Sequence, residues 1–156
     1  MAGIEEVKKY LAEYGVSVLE FETATPTAEA AAVAVGCTPA EIAKSILLLV
    51  GNRPILVVTS GDMKVNSSKL KKAAGMSGKV TLPAGDDVTR YCGYQPGGIC
   101  PFLLPASLPV FLDHSLKRFS KLYPAAGNAH SAVPIDYRRL QQLTNGVAAD
   151  LCLPGT

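Results

Sequence analysis

Apolar residues at the start of the chain recur at helical spacing: Ile4, Val7, Leu11 and Tyr14 share one face, and Gly15 follows them. That period predicts an amphipathic helix stopped by the glycine. "SVLEF" then alternates as a strand does. "TPTAEAAAVAVG" predicts a second helix, with Thr25 as its cap, Pro26 at the first helical position and Gly36 past its end. "TPAE", residues 38–41, is a capping box in which Glu41 stands three residues after Thr38, and it opens a short helix. Two apolar runs, "SILLLV" and "PILVVTS", joined by "GNR", predict a central hairpin of buried strands.

Further along, "NSSKLKKAAG" predicts a helix capped by Asn66 or Ser67 and closed by Gly75. "KVTLP" reads as a short strand and "DDVTRYCG" as a short helix. "PVFLD", "KLYPAA" and "SAVPI" read as strands, "DYRRLQQLTNG" as a helix capped by Asp136, and "AADLCL" as a final strand. No repeat, low-complexity segment or linker interrupts the pattern, so residues 1–156 read as one domain. Strands neither alternate regularly with helices nor form one block. The expected class is therefore α/β of the mixed, α+β kind, with a mixed, mostly antiparallel central sheet flanked by helices.

Composition narrows the function. With 48% hydrophobic and 18% charged residues, the chain reads as globular and long enough to bury a core. A formal charge of +2 argues against a coat for duplex DNA and leaves room for a small patch that touches one end of an RNA. The first fifteen residues are charged and lack the apolar centre of a signal peptide, and runs such as "ILLLV" are too short to span a bilayer. The expectation is a cytoplasmic protein with no membrane partner. Cys37, Cys92, Cys100 and Cys152 form no C-x-x-C pair, and His114 and His130 lack zinc-site spacing, so neither a metal nor a disulfide is expected.

Three segments carry candidate chemistry. Lys44 stands where the capping-box helix meets "SILLLV"; a lysine there snorkels outward, pairs with a carboxylate, or meets an anion in a cleft. In "YCGYQPGGICPF", Gly97 and Gly98 lie between Pro96 and Pro101. Such a loop exposes backbone N–H groups that stabilise a carbonyl oxygen turning negative, bind a phosphate, or close a structural turn. In "AAGNAHSAV", Asn128 and His130 bring polar groups into an apolar stretch; His130 suits a base, a donor, or a surface position. His114 reads as an exposed loop residue. No nucleophile motif, phosphate loop or dinucleotide motif occurs.

Taken in order, "EIAKSILLLV", "GYQPGGICPF" and "AAGNAHSAV" resemble the YbaK/EbsC family, free-standing relatives of the editing insertion domain of bacterial prolyl-tRNA synthetase. The similarity runs over essentially the whole chain. It implies that family's fold and hydrolysis of the ester between a small wrong amino acid, cysteine or alanine, and tRNA for proline. It further implies that Lys44 engages the terminal adenosine or phosphate, and that Gly97, Gly98 and Ile99 present N–H groups to the scissile carbonyl. Pro101, Gly127, Asn128, His130 and Thr25 fall to substrate binding, and Lys64, Lys69, Lys71 and Lys72 to the acceptor stem, although a solvated helix face is the simpler reading of any single one. No cofactor is implied; the partners are the acceptor end of tRNA and prolyl-tRNA synthetase. Ser45 after Lys44 and Ala125 depart from family patterns, so the amino acid removed stays open. A non-catalytic module that binds tRNA, a synthetase or a small ligand is the alternative.

Overall fold

A computed structural model describes residues 3–155, so both ends of the 1–156 span lie outside the described residues. Helix α1 (Ile4–Ala12) forms where the period places it, with Val7 and Leu11 fully buried and the Gly3 N–H donating to Glu6 Oε2 at 3.1 Å. Strand β1 (Leu19–Glu20) is the paired part of "SVLEF". Helix α2 (Ala28–Val35) is capped by Thr27, not by Thr25: Thr27 Oγ1 accepts from the Ala30 N–H at 3.1 Å. Thr25 is unavailable because its N–H and its hydroxyl both donate to the Ala129 carbonyl, at 2.7 and 3.1 Å. Pro26 therefore stands before the helix rather than in its first turn.

The Thr38–Glu41 box closes as read, with the Thr38 N–H donating to Glu41 Oε1 at 2.9 Å, but it supports only a single 3-10 turn, Pro39–Glu41. Strand β2 (Ile42–Val50) starts at once, so Lys44 lies inside a strand and not at its junction. A two-residue turn at Gly51 (φ +63°) and Asn52 leads into β3 (Arg53–Ser60), which pairs antiparallel with β2 from Val50↔Arg53 to Ala43↔Ser60. Strand β4 (Met63–Val65) gives no signal in the hydrophobic pattern. Helix α3 (Ser67–Ala74) takes Asn66 as its cap, through the Lys69 N–H to Asn66 Oδ1 at 3.0 Å, and ends at Gly75 in the left-handed region.

Strand β5 (Val80–Thr81), helix α4 (Gly85–Cys92) and strands β6 (Val110–Asp113), β7 (Tyr123–Pro124) and β8 (Ser131–Ala132) follow. Helix α5 (Tyr137–Thr144) is capped by Asp136 as read. "AADLCL" is two strands, β9 (Val147–Ala149) and β10 (Cys152–Pro154). The break falls at Leu151, whose N–H is drawn to the Asp113 carboxylate at 2.8 Å and whose carbonyl accepts from Asn66 at 2.8 Å.

The central sheet runs β5-β2-β3-β6-β9, with β7 beside the first residues of β2. It is mixed. The β2–β3 ladder supplies eight antiparallel residue pairs, while β6, β7 and β9 join in parallel over two or three pairs each. Period-2 alternation divides β2 and β3 between two cores. Ala43, Leu47, Leu56 and Val58 pack with Val7, Leu11, Val88 and Leu140 on one side; Leu48, Val50, Ile55 and Val57 pack with Leu70 and Leu151 on the other. A third, small cluster joins Ala28 and Ala32 of α2 to Ile42. Among the described residues no helix is long and apolar enough to cross a membrane.

One buried carboxylate ties the parallel half together. Asp113, 2% exposed, accepts from the Ser115 N–H at 3.0 Å and from the Leu151 N–H at 2.8 Å. Asp113→Asn leaves one of these buried donors facing an amide NH2, which is expected to cost about 1–3 kcal/mol of stability. A urea titration checks it; an unchanged midpoint would show that the loop before β10 relaxes freely.

Candidate active site

The start of β2, the approach to α2, the β3–β4 turn and two loops surround a cleft of about 630 Å³, within the range of a small-molecule site. Its walls include Thr25, Lys44, Ser45, Asp62, Lys64, Gly97, Ile99, Ala125, Asn128 and Ser131. Thr27 and Ala28 bring the first turn of α2 to one rim. Gly61 allows that approach, since a Cβ there would stand 2.1 Å from the Pro39 carbonyl oxygen.

Lys44 owes its place to alternation. Ala43 and Leu47 point into the first core, so Ile42, Lys44 and Ile46 face the opposite way; the second core begins only at Ile46, and Lys44 meets the cleft instead. Its ammonium donates to the Met63 carbonyl at 3.0 Å. Of its three donors, two stay open, and among the described residues no carboxylate lies within ion-pair distance. Asp62 is close enough to feel the charge, but Arg118 occupies it: Nη2 donates to Oδ1 at 2.7 Å and Nη1 to Oδ2 at 3.0 Å. The Arg118 hydrogen bonds hold the Asp62 carboxyl below its usual range, with a smaller contribution from the Lys44 charge.

The two adjacent glycines have different reasons. Gln95–Gly98 is a turn in which Pro96 fixes the second position, Gly97 takes φ +88° at the third, and the Gly98 N–H donates to the Gln95 carbonyl at 2.9 Å. This is the type II pattern, which asks for glycine at the third position. Gly98 is buried beneath the loop, where a Cβ would lie 3.0 Å from Asn128 Cα. Of the three N–H groups expected to face a carbonyl, that of Gly98 is committed to the turn. Gly97 and Ile99 line the cleft, and their N–H groups have no hydrogen-bond partner among the described residues.

The third segment contributes differently from its reading. Asn128 lines the cleft, with its Oδ1 accepting from the His130 N–H at 2.9 Å. His130 itself is exposed and lies outside the wall; its carbonyl accepts from the N–H of Phe21, the residue after β1, at 2.7 Å. Gly127 (φ +105°) also lies outside the wall; a Cβ there would press on Tyr94 and on the first residues of α1. Pro101 is buried and not in the wall. Thr25 is in place, its hydroxyl held by Ala129. Of the four lysines, only Lys64 borders the cleft. Lys69 is paired with Asp150 at 3.0 Å and with the Cys152 carbonyl at 3.1 Å, and Lys71 and Lys72 ride with it on α3, away from the wall.

Sequence reasoning missed Asp62, Met63 and Ser131. Ser131 is buried, accepting from the Ala126 N–H at 3.0 Å and donating to the Asn128 carbonyl at 3.4 Å, so it shapes the loop that bears Asn128. The polar residue beside the histidine is the only sequence signal that could have found it. Ser45 Oγ is buried in the wall without a hydrogen-bond partner among the described residues. No cysteine lines the cleft, and burial pushes the Cys100 thiol up to about 12 and the Cys152 thiol to about 11, far from a thiolate at neutral pH.

Known proteins are similar to this chain in sequence and fold. The chain is 36% identical over 137 residues to uncharacterized protein YwhH of Bacillus subtilis (strain 168), covering 86% of each chain. It is 31% identical over 119 residues to the proline–tRNA ligase of Lysinibacillus sphaericus (strain C3-41), spanning 72% of this chain but 21% of that enzyme. A crystal structure of a proposed trans-editing enzyme for prolyl tRNA synthetase superposes with a TM-score of 0.86 at 24% identity, covering 98% of this chain and 99% of that one; this likeness shows the fold. The family model for the aminoacyl-tRNA editing domain matches residues 22–143, a span that contains every residue of the cleft wall except Gly155. The cleft wall thus lies almost wholly within the matched span, and the chain belongs to the aminoacyl-tRNA editing domain family.

Proposed function

We propose that this protein hydrolyses, in trans, the ester bond between a small wrong amino acid and the 3′ end of a tRNA, with tRNA for proline as its first substrate. The observation that carries the reading is the position of Lys44: an ammonium with two open donors and, among the described residues, no ion pair, on the wall that Gly97 and Ile99, whose N–H groups have no partner among those residues, also line. An unpaired cation beside fixed backbone donors suits a substrate with both a negative backbone and a carbonyl. Lys44 anchors the terminal nucleotide, by ribose hydroxyl or phosphate. The two N–H groups take the carbonyl oxygen as it gains charge.

The attacking group comes from outside the chain. The hydroxyls of Thr25 and Ser131 are committed to backbone partners, Thr27 caps α2, and Ser45 has no base beside it. Water, or a nucleophile on the substrate itself, completes the reaction. Ile46, Ile99, Ala125 and Ala132 give the cleft apolar walls suited to a short side chain.

Deacylation of tRNA for proline charged separately with proline, cysteine, alanine and serine tests this. Selective loss of one wrong amino acid is expected, with proline retained. If none of the four is released while the tRNA still binds, the protein is a binding module and the proposal fails.

A further inference from the structure

The half-exposed ion pair beside the cleft has a feature that a surface pair does not need. Asp62 lies in the cleft wall and is the residue before Met63, whose carbonyl holds Lys44. A carboxylate there is the natural partner for the Lys44 ammonium, yet the pair does not form. Both oxygens are taken instead by the Arg118 fork, at 2.7 and 3.0 Å. The guanidinium is fixed at a third point, with Nε donating to the Ser115 carbonyl at 2.8 Å, and the Ser115 N–H is itself bound to buried Asp113 at 3.0 Å. On the other side, the Asp62 carbonyl accepts from the Gly155 N–H at 2.8 Å. The turn is thus pinned from two directions, and the carboxylate cannot swing to Lys44 without giving up a bidentate pair.

We propose that Arg118 is a positioning residue for Lys44: by occupying the Asp62 carboxylate, it keeps the Lys44 ammonium open for the incoming 3′ end of the tRNA. The inference rests on the deacylase reading for the identity of that occupant, while the geometry stands on its own. Removing Arg118 frees Asp62, which then competes with the substrate for Lys44. Removing the carboxylate as well removes the competitor. A residue that merely braced the turn, or that touched a tRNA phosphate directly, would show no such rescue.

The experiment compares wild type, Arg118→Met, Asp62→Asn and the double variant, in two readouts run side by side: Kd for uncharged tRNA for proline by filter binding, and kcat/KM for deacylation. Arg118→Met keeps the aliphatic stem and removes the fork. It is expected to weaken tRNA binding and to lower kcat/KM by about 10-fold or more, chiefly through KM, since ground-state anchoring is what is lost. The double variant is expected to lie within about threefold of Asp62→Asn in both readouts, because its two changes act through one contact. Unfolding midpoints taken on the same samples confirm that all four proteins are folded; should Arg118→Met fail to fold, Arg118→Gln replaces it. An unchanged Arg118→Met, or a double variant as weak as the single, overturns the inference. If wild type binds tRNA without deacylating it, the catalytic reading fails while the binding series still decides the role of Arg118. If wild type does neither, Lys44 has no such occupant and the inference fails too.

Discussion

Lys44→Ala is expected to cut deacylation by about 100-fold or more, on the scale of losing a charged contact or a single transition-state donor. The side chain is half-buried at the edge of a core and, among the described residues, makes one hydrogen bond to Met63 and no ion pair, so the folded state depends on it little. Among the described residues no carboxylate pairs with it, an arrangement suited to a ligand that supplies the counter-group. Stability and activity should therefore separate. The unfolding free energy of Lys44→Ala should shift by only about 1 kcal/mol, the ordinary size of a point change outside the core, while kcat/KM collapses, chiefly through KM. Lys44→Arg should rescue only in part. The charge returns, but a planar fork does not reproduce a compact ammonium held by one carbonyl at 3.0 Å. Turnover unchanged in Lys44→Ala would remove the residue from the site and leave the Gly97 and Ile99 N–H groups to explain the chemistry without an anchor.

The hydrophobic pattern carried the long elements and the ordered motifs, and it failed where a distant partner decides the local outcome. The central hairpin was legible because "SILLLV" and "PILVVTS" are apolar on both faces, as strands buried between two cores must be. The caps at Asn66 and Asp136 were legible because a cap is a contact of three residues or fewer. Thr25 was misplaced as a cap because its two donors are claimed by Ala129, more than a hundred residues along the chain. Strand β4 was invisible because its ladder partner is β10, across Cys152↔Val65. The same limit governs the site. Lys44, Gly97 and Asn128 stood out by residue type and Ile99 through the family resemblance, whereas Asp62 and Arg118 acquire meaning only when the fold brings them together at 2.7 Å. His130 shows the reverse error. Its chemistry invites a role, but the Phe21 N–H holds its carbonyl and the residue lies exposed outside the wall.

Gly61→Ala is expected to be the most damaging single methyl in the chain outside the core. Gly61 has no positive φ, and "SGDM" carries no motif, so nothing in the sequence marks it. In the fold, an added Cβ would stand 2.1 Å from the Pro39 carbonyl oxygen and 2.7 Å from Ala28 Cβ. The first of these is backbone in the 3-10 turn, and the second is a buried side chain at the start of α2, so neither can rotate away. Relief requires the α2 rim or the β3–β4 turn to move, and overpacking of this kind costs about 3 kcal/mol or more. For a chain of this size that corresponds to a fall in melting temperature of about 6–12 °C. Gly97→Ala supplies the internal contrast. Gly97 sits at φ +88° with open space where a methyl group would point, so its substitution meets strain without a clash and should cost only about 1 kcal/mol. The two variants should also differ in function. Gly61→Ala displaces the turn that carries Asp62 and Met63, and so loosens the hold on Lys44 even in the fraction that remains folded. Gly97→Ala alters the loop that presents the N–H groups while leaving Lys44 in place. Melting curves and deacylation rates measured together decide the point: a Gly61→Ala protein that melts with the wild type would mean that α2 floats over the β3–β4 turn, and the cleft would then lack the rigid rim that its proposed chemistry requires.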